Sequence, residues 1–496
     1  MRVPHSRSFW CASAGAIVLS LLAGCAGSES SRSSGPAVIP THVQPVVLDG
    51  DIAEWPPSVV MTTDPWWLYV RWKVTGEAKT PQASDESLAI WLDLDTNPTT
   101  GRRPVAPRGA SQLGVDLTIE LSPPAVDGSG LGVGSRVTAN TAAGSREISH
   151  SQIEFSFAPT YANEWYEGRL SRQSLAELGL PVPREGEPIT GMFVLRDGSG
   201  SIVGSSQPFE VEATAAEALP PRADLRLPPK PRAGLRVVSW NVWRAKPMKD
   251  PGPFARVLRV LDPDVLLLQE WTSRPHEIAA WLNASVPLEE GEWSVRMSEA
   301  WGVAVASRYP LEPLGHEELY LDGAEDPVRY VGALVETPFG YLAAASVHLK
   351  CCGSSGSSED QTRISEAGAI NRSLAEALRM EPVAMRIIAG DLNLVGSRPP
   401  LDVLRNGLDA DGSDLEIADA RDLGDSAYVT WREDRSVFTP GRLDYAVYSG
   451  SAVRTVRTFV LDARLLSDRA LEAAGLDRSD ADASDHLPLV VDLIPE

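Results

Sequence analysis

Residues 213–233, ATAAEALPPRADLRLPPKPRA, carry five prolines and no apolar period. Such a stretch cannot continue a helix or a sheet ladder, because each proline lacks an N–H and fixes its own φ. It reads as an interdomain linker, and it divides the chain into two bodies that must each bury a core. With 496 residues, 43% of them hydrophobic, there is chain enough for both.

The two bodies differ in pattern. From about residue 40 to 212, stretches such as WWLYVRWKV, SLAIWLDLD, GVDLTIEL, SQIEFSFAP and GMFVLRDG are separated by Gly, Pro, Asp and Ser turns. Short alternating segments at this spacing predict an all-β antiparallel sandwich. From residue 234 to 496 the pattern changes. Strand-like LRVVSW is followed by helix-like PFARVLRVL and strand-like DVLLLQE. WGVAVAS, VGALVET and YLAAASVHL follow, then a helical pattern from Glu359 to Leu378, then RIIAGDLN, LDYAVYS and LPLVVDL. Strands alternating with helices predict an α/β body with chemistry at strand ends.

The chain opens with Arg2, Arg7 and an apolar run from Ala14 to Ala23, too short to span a bilayer. Residues 1–24 therefore read as a signal peptide. Leu22-Ala23-Gly24-Cys25 resembles a bacterial lipobox. That resemblance implies cleavage before Cys25, a lipid on its thiol, and a membrane-anchored place in the cell envelope, facing the periplasm or the cell surface. The alternative is an ordinary cleaved leader with Cys25 incidental. Residues 25–39, rich in Gly and Ser, then form a flexible tether. The net charge of −22 excludes general, non-specific nucleic-acid binding, which depends on Lys and Arg neutralising phosphates. A local basic groove remains compatible with it. The expected state is a monomer.

In the second body, VVSWN ends in Asn241, DVLLLQE in Glu270, AAASVH in His348 and RIIAGDLN in Asp391 and Asn393. GRLDYAVYS carries Asp444, and ASDHLPLVV begins with Asp485 and His486. Each alone reads equally as a turn former. Together they are carboxylates, amides and two histidines, with no Ser or Cys placed as a nucleophile. Hard oxygen donors suit Mg²⁺, which keeps water and substrate phosphate in its shell. A histidine oriented by a carboxylate suits proton handling beside a phosphate. The set points to metal-assisted hydrolysis of a phosphate ester.

In this order, VVSWNVWR, PDVLLLQE, VASRYPL, SVHL, AGDLN, GRLDYAVYS and SDHLPL resemble the endonuclease/exonuclease/phosphatase superfamily. The resemblance implies a deoxyribonuclease I-like four-layer α/β sandwich with two central sheets. It implies a metal site of Asn241 and Glu270, with Glu270 the main Mg²⁺ or Mn²⁺ ligand and Asp485 near the metal. Asp391 and Asn393 are implied to orient the attacking water and hold the phosphate. His486, oriented by Asp444, is implied as base or phosphate-charge stabiliser. His348 is implied as a phosphate ligand and candidate acid. The Tyr/Asn arrangement of the abasic-site endonuclease branch is not found, which places the chain outside that branch.

SVHLKCCGSSGSSED leaves two cysteines, Cys351 and Cys352, after His348. A zinc site of His348, Cys351 and Cys352 has poor spacing and no fourth ligand. A vicinal disulfide and two free thiols both remain open; adjacent Cα atoms sit about 3.8 Å apart, closer than ordinary bridges prefer. Arg363 starts the next helix, either facing a substrate phosphate or as a surface residue of its first turn.

In the first body, VVLDGDIAEWP, WWLYVRW and LAIWLDLDTNPTTGRRP are similar to family 9 carbohydrate-binding modules. The similarity implies glycan contact through Trp55, Trp66, Trp67, Trp72 or Trp91; the alternative is that these are sandwich core. DLDTNPTTG sets Asp93, Asp95 and Asn97 at alternate positions, as in a calcium loop. The twelfth position, where an EF-hand has its bidentate Glu, is Pro104. A Ca²⁺ site requires the oxygens to converge; otherwise this is a solvated Asx turn. The expected function is a lipid-anchored, Mg-dependent phosphoesterase, and the second reading is an inactive surface protein that binds carbohydrate or phosphate.

Overall fold

The computed structural model describes residues 46–74, 78–125, 130–215, 225–298 and 302–495. The signal peptide, Cys25 and the tether lie outside them, as does 216–224 of the linker. Among the described residues, no helix is long and apolar enough to cross a membrane.

The first body is a sandwich of two antiparallel sheets, one of four strands and one of seven. Between them lies a core of Leu68, Val70, Trp72, Ile90, Leu92, Leu117, Ile119, Phe155, Tyr166 and Phe193. Alternation explains the membership. Ile90 and Leu92 point into this core, whereas Ala89 and Trp91 point to a smaller cluster on the outer face with Val115 and Met192.

The second body holds two six-stranded sheets. In the strand Gly340–His348, Leu342 and Ala344 face the other sheet, while Ala343, Ala345 and Val347 face the helix Ser358–Met380. The helix Pro251–Leu261 covers the opposite sheet with Phe254, Val257, Leu258 and Leu261. Helix, sheet, sheet and helix make the expected four layers, the deoxyribonuclease I-like fold. The sheets also meet through polar atoms: Ser346 Oγ donates to Leu268 O at 2.9 Å and accepts from Gln269 Nε2 at 2.9 Å.

The two bodies are packed against each other. Arg169 grips Asp425 with two hydrogen bonds of 2.8 and 2.5 Å in a buried ion pair. Leu48 N donates to Ser426 O at 2.8 Å, and Thr439 N to Gln82 Oε1 at 2.9 Å.

Candidate active site

Strand register assembles the site. In the second sheet His348 pairs with Asp391 across a parallel ladder, and Asp391 with Asp444 across an antiparallel one. Three strand ends thus fall side by side. In the facing sheet Asn241 pairs with Gln269, which puts Glu270 one residue beyond it. His486 lies just before the strand Leu489–Pro495, which runs antiparallel to Leu235–Asn241 and so begins at the same edge. Gly390 is needed here: a Cβ on it would stand 1.8 Å from the carbonyl oxygen of Val347.

Side chains link the two sheets. The Asn241 amide lies 3.2 Å from both Glu270 Oε1 and Asp391 Oδ2. Asp391 Oδ1 accepts the Asn393 amide N–H at 2.8 Å, and the Asn393 side chain donates to Asp391 Oδ2 and to Leu349 O, each at 3.1 Å. His486 Nδ1 meets Asp444 Oδ2 at 2.8 Å, and its Nε2 faces Asp391 Oδ2 at 3.7 Å. Ser484 holds the approach to His486, donating to Asn241 O at 2.8 Å and accepting from His486 N at 3.2 Å. Thr430 Oγ1 accepts the Leu443 and Asp444 amides, both at 2.9 Å.

Glu270 and Asn393 have φ of 60° and 46°, and Trp243, Arg244 and Ala245 follow at 47°, 55° and 53°. Left-handed backbone at a run of non-glycine residues costs free energy and must be held by its surroundings. Here it wraps the chain round one carboxylate. Arg244 N donates to Glu270 Oε2 at 3.1 Å, and Ala245 N to Glu270 O at 2.8 Å. Trp243 is left on the surface at this rim, 36% exposed, with Lys246 over its ring.

The charges are polarised. Burial opposes a charged His486, but Asp444 and Asp391 outweigh it and push the ring up to about 10. Burial, with the guanidinium of Arg329 and the ring of His486, holds His348 well below the ordinary imidazole range. Arg329 Nη1 lies 3.3 Å from His348 Nε2. Burial and Asp444 push Asp391 up to about 7, against the pull of His486. The two histidines are therefore pushed in opposite directions, His486 towards the charged form and His348 towards the neutral one.

The structure brings together Asn241, Glu270, His348, Asp391, Asn393, Asp444 and His486. Asp485 stands beside them, half-buried, its Oδ2 taking the Trp431 indole N–H at 3.3 Å. An all-oxygen donor set for a hard cation is present: Glu270 is partly open to solvent, and Asp444 Oδ1 is buried with no partner. Asp391 and Asp444 bring carboxylate oxygens within 4.8 Å of one another, with His486 beside them.

Several expectations are corrected. Arg363 does not face a phosphate, nor is it on the surface. It is fully buried, with Nη1 bonded to the carbonyls of Lys350 (2.9 Å) and Cys352 (2.7 Å) and Nη2 to Asp360 (3.2 Å). Its work is to hold the cysteine loop. Cys351 and Cys352 lie exposed on that loop as free cysteines, their sulfurs 2.9 Å apart. Trp55, Trp72 and Trp91 are core, and Trp66 and Trp67 are half-buried, Trp67 lying under the Arg169 guanidinium. Asn97 turns its carbonyl oxygen to Thr99, and Asp116 takes its place beside Asp93 and Asp95.

Sequence reasoning missed Arg329, Thr430, Ser484 and Trp243, which act through tertiary contacts. It also missed two threonines of the first body. Thr160 Oγ1 lies 2.8 Å from Leu394 O and 3.0 Å from Arg442 O. The hydroxyl thus clamps the chain just after Asn393 to the chain just before Asp444. Thr80 Oγ1 donates to Val395 O at 2.9 Å and accepts from Ser355 N at 3.1 Å, tying the same loop to the cysteine loop.

The endonuclease/exonuclease/phosphatase family model matches residues 238–486. No curated protein matches the chain. Among solved structures, beta toxin from Staphylococcus aureus is 16% identical with a TM-score of 0.35, the match covering 52% of this chain and 99% of that one. The 3′-5′ exonuclease from Neisseria meningitidis is 18% identical, TM-score 0.36, covering 52% and 98%. Sphingomyelinase C from Streptomyces griseocarneus is 16% identical, TM-score 0.33, covering 52% and 99%.

Proposed function

The chain belongs to the endonuclease/exonuclease/phosphatase family, and from that premise we propose that it is a working, Mg²⁺- or Mn²⁺-dependent phosphodiesterase, phosphatase or nuclease, lipid-anchored through Cys25 outside the cytoplasm. The observation that carries the activity is the convergence of groups at one rim: His486 set between Asp444 and Asp391, facing the Asn241–Glu270 pair.

When bound at Glu270, with Asn241 and Asp485 alongside, the metal supplies positive charge against a phosphate oxygen. The residues divide the rest. His486, kept in one orientation by Asp444, offers its Nε2–H to the charge that grows on the phosphate. Asp391, its pKa raised by burial and by Asp444, is placed to orient water and take its proton. Asn393 fixes that carboxylate from below through its amide N–H. His348 stays neutral and available as a hydrogen-bond partner for phosphate. Hydrolysis by water needs no covalent intermediate, so no Ser or Cys nucleophile is required.

Turnover by the purified protein with Mg²⁺ tests this on DNA, sphingomyelin, inositol phosphates and a generic phosphodiester. Hydrolysis of at least one, abolished by EDTA and restored by Mg²⁺, is expected. No turnover of any of them would favour the binding-only alternative. For the anchor, Cys25→Ala is expected to leave the protein unprocessed or out of the membrane fraction; a variant that matures and stays membrane-bound refutes it.

A further inference from the structure

A second carboxylate cluster lies in the first body and contains none of the residues of the candidate active site. Asp93 ends the strand Ser87–Asp93, Asp95 sits in the turn that follows, and Asp116 immediately precedes the strand Leu117–Leu121. Antiparallel pairing of Leu92 with Leu117 brings the two strand ends together. Each of the three offers a carboxylate oxygen, and these oxygens lie within 4.8 Å of one another. Asp93 and Asp116 are each only 1% exposed.

Three anions at this spacing need compensation. One oxygen of each buried carboxylate has a backbone partner: Asp93 Oδ2 accepts from Gly114 N and Asp116 Oδ2 from Leu94 N, both at 2.8 Å. Asp93 Oδ1 is completely enclosed and has no partner. An orphaned anionic oxygen in a dry site costs several kcal/mol unless something neutralises it. Burial, backbone amides and the neighbouring carboxylates are what act on Asp93 and Asp116, and they leave Asp116 at about 7. The protein therefore supplies hydrogen bonds here, and repulsion, without a balancing charge. The loop above is drawn in tightly: a Cβ on Gly114 would meet the carbonyl oxygens of Asn97 at 2.1 Å and Thr100 at 2.5 Å.

We propose that Asp93, Asp95 and Asp116 bind a hard divalent cation of the calcium type, which pins the 94–101 loop to the edge of the sandwich and satisfies the enclosed oxygen of Asp93. Ca²⁺–oxygen distances run from about 2.3 to 2.6 Å, so two ligands of one ion can stand up to about 5.2 Å apart. The cluster meets that limit. No histidine or cysteine belongs to it, which disfavours zinc. Ca²⁺ tolerates the irregular geometry of a loop and two strand ends better than Mg²⁺, which demands a near-ideal octahedron.

Calcium titration of the purified full chain, by calorimetry and thermal unfolding in the presence of Mg²⁺, decides the matter. The wild type is expected to take up Ca²⁺ and to raise its unfolding midpoint by several degrees, as any ligand of the native state does. Asp93→Asn and Asp116→Asn keep the oxygens that accept from Gly114 and Leu94, and are expected to lose one Ca²⁺ equivalent and the thermal shift. Asp95→Asn, on the half-buried turn, gives a third variant should either of those fail to fold. Equal Ca²⁺ binding by variants and wild type would place the ion elsewhere and overturn the site. A wild type indifferent to Ca²⁺ would overturn it as well, leaving protonation as what neutralises the cluster. Neither outcome touches the phosphoesterase reading, because none of these residues belongs to that site.

Discussion

Each body of this protein buries a group of carboxylates at its strand ends, and the two groups are balanced differently. In the second body Asp391 and Asp444 face His486, a ring brought in from another sheet. In the first, Asp93 and Asp116 face amides and each other. Paired with an internal cation, buried acids divide a proton among themselves and can do proton chemistry. Without one, the same residues require an ion from solvent. The difference lies in what the fold delivers opposite the acids.

The sharpest way to break the comparison is to remove the internal cation. His486→Ala should lower kcat roughly 10²–10⁴-fold, the usual range for a lost proton-handling or charge-stabilising group. Asp444→Ala should cost nearly as much. The double variant should lose little more than either alone, because the two act as a unit; losses that multiply in steady-state assays would show that they do not. Next, Glu270→Ala should cost about 10²–10³-fold by removing the carboxylate that the left-handed segment wraps, with the fold intact by circular dichroism.

A smaller effect tests whether the first body contributes to the second's site. Thr160→Val removes the hydroxyl between Leu394 O and Arg442 O. Misplacing Asn393 and Asp444 slightly should lower kcat about 10-fold with KM little changed, while stability falls by only about 1–2 kcal/mol. Thr160→Ser should restore kcat. An unchanged kcat in Thr160→Val would confine the clamp to stability.

The last test concerns stability alone, at a buried acid with no histidine or ion-pair partner bonded to it. Glu167 accepts the Trp55 indole N–H, and the Gly50 N–H at 2.9 Å, while burial pushes it up to about 8. The unfolded chain releases that proton near pH 4.3. Its contribution to stability is therefore full below about pH 4 and is lost as the pH rises towards 8. Glu167→Gln should flatten that slope in denaturant midpoints measured from pH 5 to 8; an unaltered slope would assign it to other groups.

Much of this was legible residue by residue. Short alternating stretches marked the strands of the first body, and continuous apolar runs those of the second, whose strands are buried on both faces. The polar residues closing VVSWN, DVLLLQE, AAASVH and RIIAGDLN were visible because they interrupt apolar runs. Arg363 was not legible as a buried residue. Its place depends on which carbonyls a loop 11 to 13 residues upstream turns towards it.

The sequence by itself determined the two-body order, the strands and the stock of acids, amides and histidines at their ends. These follow from local periodicity and from chemical type. Only the tertiary structure decided which groups face one another. It set His486 against Asp444 and Asp391, substituted Asp116 for Asn97 beside Asp93, sank the tryptophans of the first body, and reached across with Thr80 and Thr160 to hold the catalytic loops. Charge state and burial depend on distance in space, and register, sheet packing and the contact between bodies set that distance across gaps of up to 380 residues.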